Sequence, residues 1–356
     1  MKKRHIILSA PIAIMLATHA LAEVAPGFDV ATPADFGVAD YVYKISESDF
    51  NFKRSLAKAP LNEWAYQSDL SRVDTQQVIR ENQDGIYASA VVDISNGATF
   101  TVPEGDHYQI IQVIDQQNYV AGVAYAGESL TITTDDVTYG THVYLNMRVP
   151  ILPEDKGGIK ETLRLQKLAT IEANSAQPYV SPDLVLNLEK TEEIRSALVK
   201  DVKDGALTST THVNGTPFTS RPQDHLYGTA YGWGGLGMPD AAYWPLINKT
   251  EIVDGEIQPS SMTFTPPAVQ YDKGGFWSVT IYDESGWMGK DISAISNTQA
   301  EPNEDGTYTI NFNSPGEKNN LETTTPFAAL LRFYLPESKE SAVNYLHEKS
   351  SSLIID

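Results

Sequence analysis

The chain contains no cysteine. Disulfides, thiolate nucleophiles and cysteine-ligated metals are therefore excluded, and the fold must be held by its core alone. Past its N-terminus it has no apolar run approaching the ~20 residues that a membrane span needs. Positive charge is scarce: 26 Lys and Arg stand against 46 Asp and Glu, a formal net charge of -20. Such a chain repels nucleic-acid phosphates and anionic lipid, so neither is an expected partner. On bulk charge alone, a neutral or cationic ligand suits it better than an anionic one. There is no Gly-x-Ser-x-Gly elbow, phosphate loop or dinucleotide fingerprint. The histidines lack zinc-type spacing. No cofactor and no metal are expected. Asp135-Asp136 raises a Ca²⁺ site, but an acidic pair in a loop does not make one.

What is present begins with an export signal. Met1-Lys2-Lys3-Arg4-His5 is a short positive region, residues 6–16 are mainly apolar, and Ala20-Leu21-Ala22 offers small residues to a signal peptidase. Cleavage between Ala22 and Glu23 is predicted. It gives a periplasmic or secreted protein, with no lipid-anchor cysteine and no stable membrane insertion. Losing Lys2, Lys3 and Arg4 takes the net charge from -20 to -23.

Residues 23–40 read as an extended lead-in and 41–80 as a mixed segment. A turn followed by a helix is predicted near Pro60 to Trp64, and residues 73–79 fit a short helix or a strand. From Gly85 the pattern turns to β. Residues 86–94 read as a strand, Asn96-Gly97 as a hairpin turn and 98–102 as the return strand. Residues 108–114 alternate, with Tyr108, Ile110, Gln112 and Ile114 on one side. More strands are predicted near 119–125, 129–133 and 142–149. A helix is predicted over 159–173 and another starting at Thr191, with Glu192 and Glu193 suiting the macrodipole. The clearest later strands are 262–265, 276–283, 307–313 and 327–335. The predicted fold is mainly β with a helical insert (α+β): two jelly-roll-like β-sandwich domains bridged by helices. The predicted division is signal peptide 1–22, N-terminal β-domain 23–150, helical linker 151–210 and C-terminal β-domain 211–356.

Asn82-Gln83-Asp84-Gly85-Ile86-Tyr87, the strand end Asp93-Ile94, Val102-Pro103 and the stretch Tyr108 to Asp115 together resemble the start of a DUF1254 domain. Phe276-Trp277-Ser278-Val279-Thr280-Ile281-Tyr282-Asp283, the turn Asp305-Gly306 and the closing Leu331-Arg332-Phe333-Tyr334-Leu335-Pro336 resemble a DUF1214 domain. His225-Leu226-Tyr227-Gly228 and Gly232-Trp233-Gly234-Gly235 resemble a segment found between the two. The chain departs from that pattern at Asn320-Leu321-Glu322-Thr323, where many members carry Asn-Trp-Leu-Pro. The resemblance implies two jelly-roll-like domains bridged by helices. It implies no reaction, because both families are named for having none assigned, and fold would not settle function in any case.

Two places could carry chemistry. Asn82, Asp84 and Tyr87 stand at a strand entrance, where Asp84 fits a base or acceptor and Tyr87 a donor or stacking surface. The plainer alternative is turn capping by Asn82 and Asp84, with Tyr87 packed in the sheet. The segment 221–244 gathers Arg221, Asp224, His225, Tyr231, Trp233, Asp240 and Tyr243 among several glycines. Aromatic faces beside bare backbone suit a sugar-like ligand, and His225 near Asp224 or Asp240 suits acid–base work. The plainer alternative is a loop packing two domains together, with His225 structural. Arg332 is out of phase with Leu331 and Phe333, so it faces a cavity or an ion-pair partner such as Asp283. Trp277, Tyr282 and Trp287 read as core or rim.

Three functions follow, and whether the protein is an enzyme stays open. The first is an exported binding protein for a neutral polar ligand such as a glycan. The second is a hydrolase or lyase using His225 with Asp84, Asp224 or Asp240. The third is a structural envelope component, since such domains build homo-oligomers through sheet edges. Intact-mass analysis of the exported protein checks the first step: the expected N-terminus is Glu23, and a retained Met1 overturns it.

Overall fold

The computed structural model describes residues 32–207, 209–323 and 326–356. The predicted signal peptide, residues 1–22, lies outside them. Two β-assemblies and a helical layer make up the described chain.

The first assembly is built from β1 (Ala65–Tyr66), β2 (Gly85–Asp93), β3 (Ala98–Thr101), β4 (Ile110–Ile114), β5 (Val120–Tyr125), β6 (Ser129–Ile132), β7 (His142–Pro150) and β8 (Thr170–Ala173). An antiparallel five-stranded sheet runs β1-β2-β7-β4-β5, and a three-stranded sheet runs β6-β3-β8. Alternation decides which side chains meet. Ala88, Ala90 and Val92 of β2, Ile111 and Val113 of β4, and Val143, Leu145 and Met147 of β7 point at the three-stranded sheet and make the core with Phe100. Tyr87, Ser89 and Val91 leave β2 on the other face, directly opposite Arg148, Asn146 and Tyr144 of β7.

The second assembly repeats this plan. Its strands are β9 (Ala241–Pro245), β10 (Ile247–Asn248), β11 (Ile252–Val253), β12 (Glu256–Ile257), β13 (Ser260–Phe264), β14 (Phe276–Asp283), β15 (Ala294–Ser296), β16 (Tyr308–Phe312), β17 (Asn320–Leu321), β18 (Phe327–Tyr334) and β19 (Ile354–Ile355). A four-stranded sheet β15-β14-β18-β9 faces a three-stranded sheet β13-β16-β17, with the small pairs β10-β19 and β11-β12 beside them. Trp277, Val279, Leu331, Phe333, Ile310 and Phe312 fill the space between. Leu330, Arg332 and Tyr334 leave β18 on the opposite face, where Arg332 lies between Ser278 of β14 and Tyr243 of β9. No sheet closes into a barrel among the described residues.

Helices α1 (Asp40–Leu56), α2 (Gly158–Gln166), α3 (Leu188–Lys203), α4 (Pro222–Tyr231) and α5 (Lys339–Lys349) complete the fold. Tyr43 of α1, Ile194, Leu198 and Val202 of α3, and Leu226 and Ala230 of α4 share one apolar cluster. Phe52 then seats α1 on the outer face of the first sheet, against Val91, Ile114 and Tyr144. The helix α1 buries an unusual number of polar groups. Glu47, 3% exposed, accepts hydrogen bonds from Arg195 Nε at 2.6 Å and Nη2 at 2.8 Å, and from Tyr43 OH at 2.7 Å.

Several local expectations fail for physical reasons. The helix predicted over 159–173 stops at Gln166, because residues 170–173 are recruited as β8 against β3. The next helix starts earlier than Thr191: Asn187 caps it by accepting from the Lys190 N–H at 2.8 Å. Residues 73–79 form neither helix nor strand. They are turns held by the Glu81 carboxylate, which accepts from the backbone of Gln77 and Val78. The turn at 60–64 leads into β1 rather than a helix. Asn96-Gly97 does turn the chain, but β2 and β3 belong to different sheets, so it is a corner of the sandwich and not a two-stranded hairpin.

Replacing Glu47 by Ala would leave Arg195 without its carboxylate in a half-buried place. Urea unfolding is expected to show a loss of about 2–4 kcal/mol, the range for breaking a buried pair reduced for a partly exposed partner. A change under about 0.5 kcal/mol, the range of an ordinary surface substitution, would mean that α1 does not depend on this contact.

Candidate functional site

The non-core faces of the two larger sheets meet across a cavity of about 190 Å³. Its walls come from β2 and β7 on one side and from β9 and β18 on the other. Arg54 of α1, the 77–82 loop and the glycine segment after α4 close it. The lining runs from Arg332, 3% exposed, out to Tyr66, 41% exposed. Among the described residues, five cationic side chains, Arg54, Lys58, Arg80, Arg148 and Arg332, stand on this wall against one acid, Glu81. The bulk acidity of the chain thus reverses locally.

Arg332 is fixed by neutral acceptors. Its Nη1 donates to Thr280 Oγ1 at 2.8 Å, and its Nη2 donates to the Arg80 carbonyl at 2.7 Å and to Tyr282 OH at 2.8 Å. The expected pairing with Asp283 does not form. Asp283 instead caps its own turn, accepting from the N–H groups of Ser285 and Trp287. Arg148 is held the same way, donating from Nη2 to Gln112 Oε1 at 2.8 Å and to the Gly234 carbonyl at 2.6 Å. Gly234 has φ 79°, which a bulkier residue rarely adopts, and Gly237 has backbone of Gly215 within 3 Å of where a Cβ would stand. Glycine here lets main chain lie directly on the sheet and offer its carbonyls to Arg148 and Gln112. Arg80 stacks on Tyr231, 3.4 Å from guanidinium carbon to ring centroid.

The sequence-nominated residues separate into two groups. Asn82, Tyr87, Tyr231, Trp233, Tyr243 and Arg332 all line the cavity. Asn82 also donates from Nδ2 to Tyr334 OH, tying the first assembly to the second. Trp233 is partly committed, its ring edge-on to Tyr144 and its N–H donated to Ser48. Tyr243 accepts from the Leu236 N–H.

Asp84, Arg221, Asp224, His225 and Asp240 are not on the wall. The segment 221–231 is no loop but α4, begun by Pro222 at its first position. Helix formation turns His225 inward, fully buried and stacked on Tyr119. Its Nε2 meets the Asn118 carbonyl at 3.1 Å. Burial, with Lys44 nearby, pushes its pKa down to about 3, so the ring stays neutral. Asp224 pairs with Arg221 at 2.8 Å, and Asp240 accepts from Tyr125 OH at 2.6 Å. Burial raises the pKa of both carboxyls. The proposed grouping of His225 with a carboxylate in one cleft is therefore not assembled. Asp136 accepts from Thr133 as a local cap. No group of three His, Asp or Glu side chains stands together to hold a metal among the described residues.

Arg148, Arg80, Arg54 and Tyr144 are wall residues that the sequence reading missed. The signal was available: in 143–149 the positions 144, 146 and 148 alternate with Val143, Leu145, Met147 and Val149, as Arg332 alternates with Leu331 and Phe333.

Comparisons with known proteins give a family for part of the chain and no activity. Residues 250–338 match a family model described as "Protein of unknown function (DUF1214)". No curated protein matches the chain. The crystal structure of the VPA0106 protein from Vibrio parahaemolyticus is similar over 83% of this chain and 92% of its own, at 18% identity and a TM-score of 0.61. That likeness concerns the fold alone. A putative uncharacterized protein from Burkholderia cenocepacia aligns over 85% of both chains at 14% identity and a TM-score of 0.46. No described helix is long and apolar enough to cross a membrane.

Asp84 gives a pH prediction. Its carboxyl accepts from Ser278 Oγ, with Asn82 beside it. Burial lifts its pKa to about 6, outweighing the attraction of Arg332 and these hydrogen bonds. A raised folded-state pKa means that the native state holds the proton between pH ~4 and ~6 while the unfolded chain has released it. This contribution to stability is present below pH ~4 and lost as pH rises through ~6. Relative to Asp84→Asn, the wild type is expected to lose on the order of 2–3 kcal/mol across that window and to change little above pH 7. Paired denaturation curves from pH 4 to 8 check it, and a pH-independent difference contradicts it.

Proposed function

We propose that this protein is an exported binding protein that holds a small polar organic molecule in the cavity between its two β-assemblies. The observation that carries this reading is the cavity itself. Two sheets that each bury one face in their own core present their second faces to each other, and 190 Å³ is left between them. Concave sites between β-assemblies, lined by aromatic side chains and a few fixed polar groups, are where small ligands bind. Tyr87, Tyr231 and Tyr243 supply the rings, and Asn82, Arg148 and Arg332 the polar groups.

The finer parts of this reading are also proposals. Export rests on the predicted signal at residues 1–22. The two-domain assignment, with residues 82–115 resembling DUF1254, rests on motifs, and the presence of two separate cores supports it. A jelly-roll-like description of each half is supported by its two facing sheets, antiparallel except for the parallel pair β16-β17. In that division β8 would belong with the N-terminal domain, because it pairs with β3. Homo-oligomerisation through sheet edges remains a proposal of the same kind.

A neutral glycan is supported by Tyr231 and the glycines beside it, and opposed by the prior engagement of the Trp233 ring. The acid–base alternative has less support, since no histidine lines the cavity among the described residues and Glu81 already accepts from Ser71, Gln77 and Val78.

A plug tests the reading. Gly232 lines the cavity in extended backbone, φ -178°, with nothing within 4 Å of where its Cβ would stand. Gly232→Trp is therefore expected to fold normally and fill space. In a thermal-shift screen of small organic compounds, hits are expected to stabilise the wild type and to lose at least most of that shift in the variant. Hits that stabilise both proteins equally, or no hit at all, would overturn the proposal.

A further inference from the structure

The arginines of this protein divide by location. Arg72, Arg164, Arg195 and Arg221 each meet a carboxylate at 2.6–2.9 Å, and none of them lines the cavity. Arg54, Arg80, Arg148 and Arg332 all line it, and among the described residues none has a carboxylate oxygen within 4.0 Å. Those two groups account for every arginine among the described residues. The chain carries 46 acidic residues. Carboxylates are abundant, yet among the described residues the wall holds Glu81 as its acid, and it forms no ion pair with the wall arginines.

The wall arginines lean on neutral acceptors instead: carbonyls, hydroxyls and a Gln side-chain oxygen. These satisfy N–H groups without cancelling charge. A guanidinium stays protonated at any working pH, and burying one without an anion costs several kcal/mol. Arg148 is the extreme case. It is 7% exposed, its Nε is buried with no hydrogen-bond partner, and it faces Tyr87 across the strand pair. Thr210 Oγ1, also on the wall, is likewise buried without a partner. Arg148 and Thr210 thus each line this cationic cavity while keeping one polar atom without a protein partner, a demand that a bound oxyanion beside them would help to meet.

The geometry points to a small organic oxyanion as the ligand, its charged head on Arg148 and its apolar, ring-sized body against the tyrosine and leucine wall. This deepens the binding reading above and rests on it. The body is set by the wall: Tyr87, Tyr231, Leu207, Val213 and Leu330 give rings and aliphatic surface rather than a second polar cluster. The size is set by the volume, since a cavity of about 150 Å³ takes benzene and this one measures about 190 Å³. One ring plus one head fits. A planar carboxylate and a tetrahedral phosphonate share the chemistry that a guanidinium fork recognises.

Isothermal titration of the intact protein at low salt decides it, with benzoate, phenylphosphonate and the neutral benzamide as probes. At least one anion is expected to bind about tenfold or more tightly than benzamide, the difference that one charge-assisted hydrogen bond supplies. The preferred head is the one that Arg148 recognises. Arg148→Met is expected to erase the preference for the anion over benzamide. Arg148→Lys keeps the charge without the fork and recovers part of it, and Arg72→Met, outside the cavity, alters nothing. Benzamide binding as tightly as both anions would overturn the anion assignment and leave the cavity as a ligand site. No binding of any of the three to the wild type would overturn both. Should Arg148→Met fail to fold, the arginine Nε–H resonances of the wild type give the answer. Benzoate or phenylphosphonate must shift that of Arg148, and an unmoved resonance under saturating anion overturns the assignment.

Discussion

Two buried guanidiniums between two sheets constrain the whole of this structure. Arg148 and Arg332 leave their sheets on the faces that do not enter a core. Water is largely excluded around them, so each must find acceptors within the protein. Arg332 of the second assembly takes the backbone carbonyl of Arg80 from the first. Arg148 of the first takes the carbonyl of Gly234, on the segment leading into the second. The positions of the 77–82 loop and of the glycine segment follow from these demands. Asn82, bonded to Tyr334, makes the same junction beside them. The cavity is the space that remains beside these contacts.

This arrangement explains how a strongly acidic chain can hold a cationic pocket. Its carboxylates serve other purposes: Glu47 joins α1 to α3, Asp136 caps a turn, Asp240 receives Tyr125, and Glu81 organises the loop over the cavity. Among the described residues Asp84 is the carboxylate that acts on Arg332, and burial outweighs that attraction and raises its pKa. Net charge describes the outer surface that a partner meets first; a site is governed by the few groups that burial isolates.

The period-2 strands were legible in the sequence because alternation there reports burial directly. Residues 86–94, 276–283 and 327–335 appear as β2, β14 and β18 within a residue or two. Arg332 stood out for the same reason, as a charge out of phase with the apolar Leu331 and Phe333. What was illegible depended on distant partners. The helix α1 hides its amphipathicity because Lys44, Glu47 and Asp49 are buried polar groups whose partners Tyr119, Arg195 and Tyr179 lie far along the chain. Residues 170–173 continue a helical pattern locally and become β8 only because β3 has an open edge. The histidine at 225 reads as reactive beside Asp224. Only the turn of α4 reveals that it points into a sealed contact with Tyr119 and the Asn118 carbonyl. Arg148 was readable by the logic that found Arg332, and marks the place where sequence pattern alone reaches the site.

The central claim is that an anion completes the charge at Arg148. A crystal soaked with 4-bromobenzoate tests it most directly, because bromine locates the ring by anomalous scattering and the density locates the carboxylate. The account predicts one site between the two sheets, with the carboxylate at hydrogen-bond distance, about 2.7–2.9 Å, from the Arg148 guanidinium. Bromine found only on the outer surface, or a ring in the cavity with its carboxylate turned away from Arg148, would contradict it.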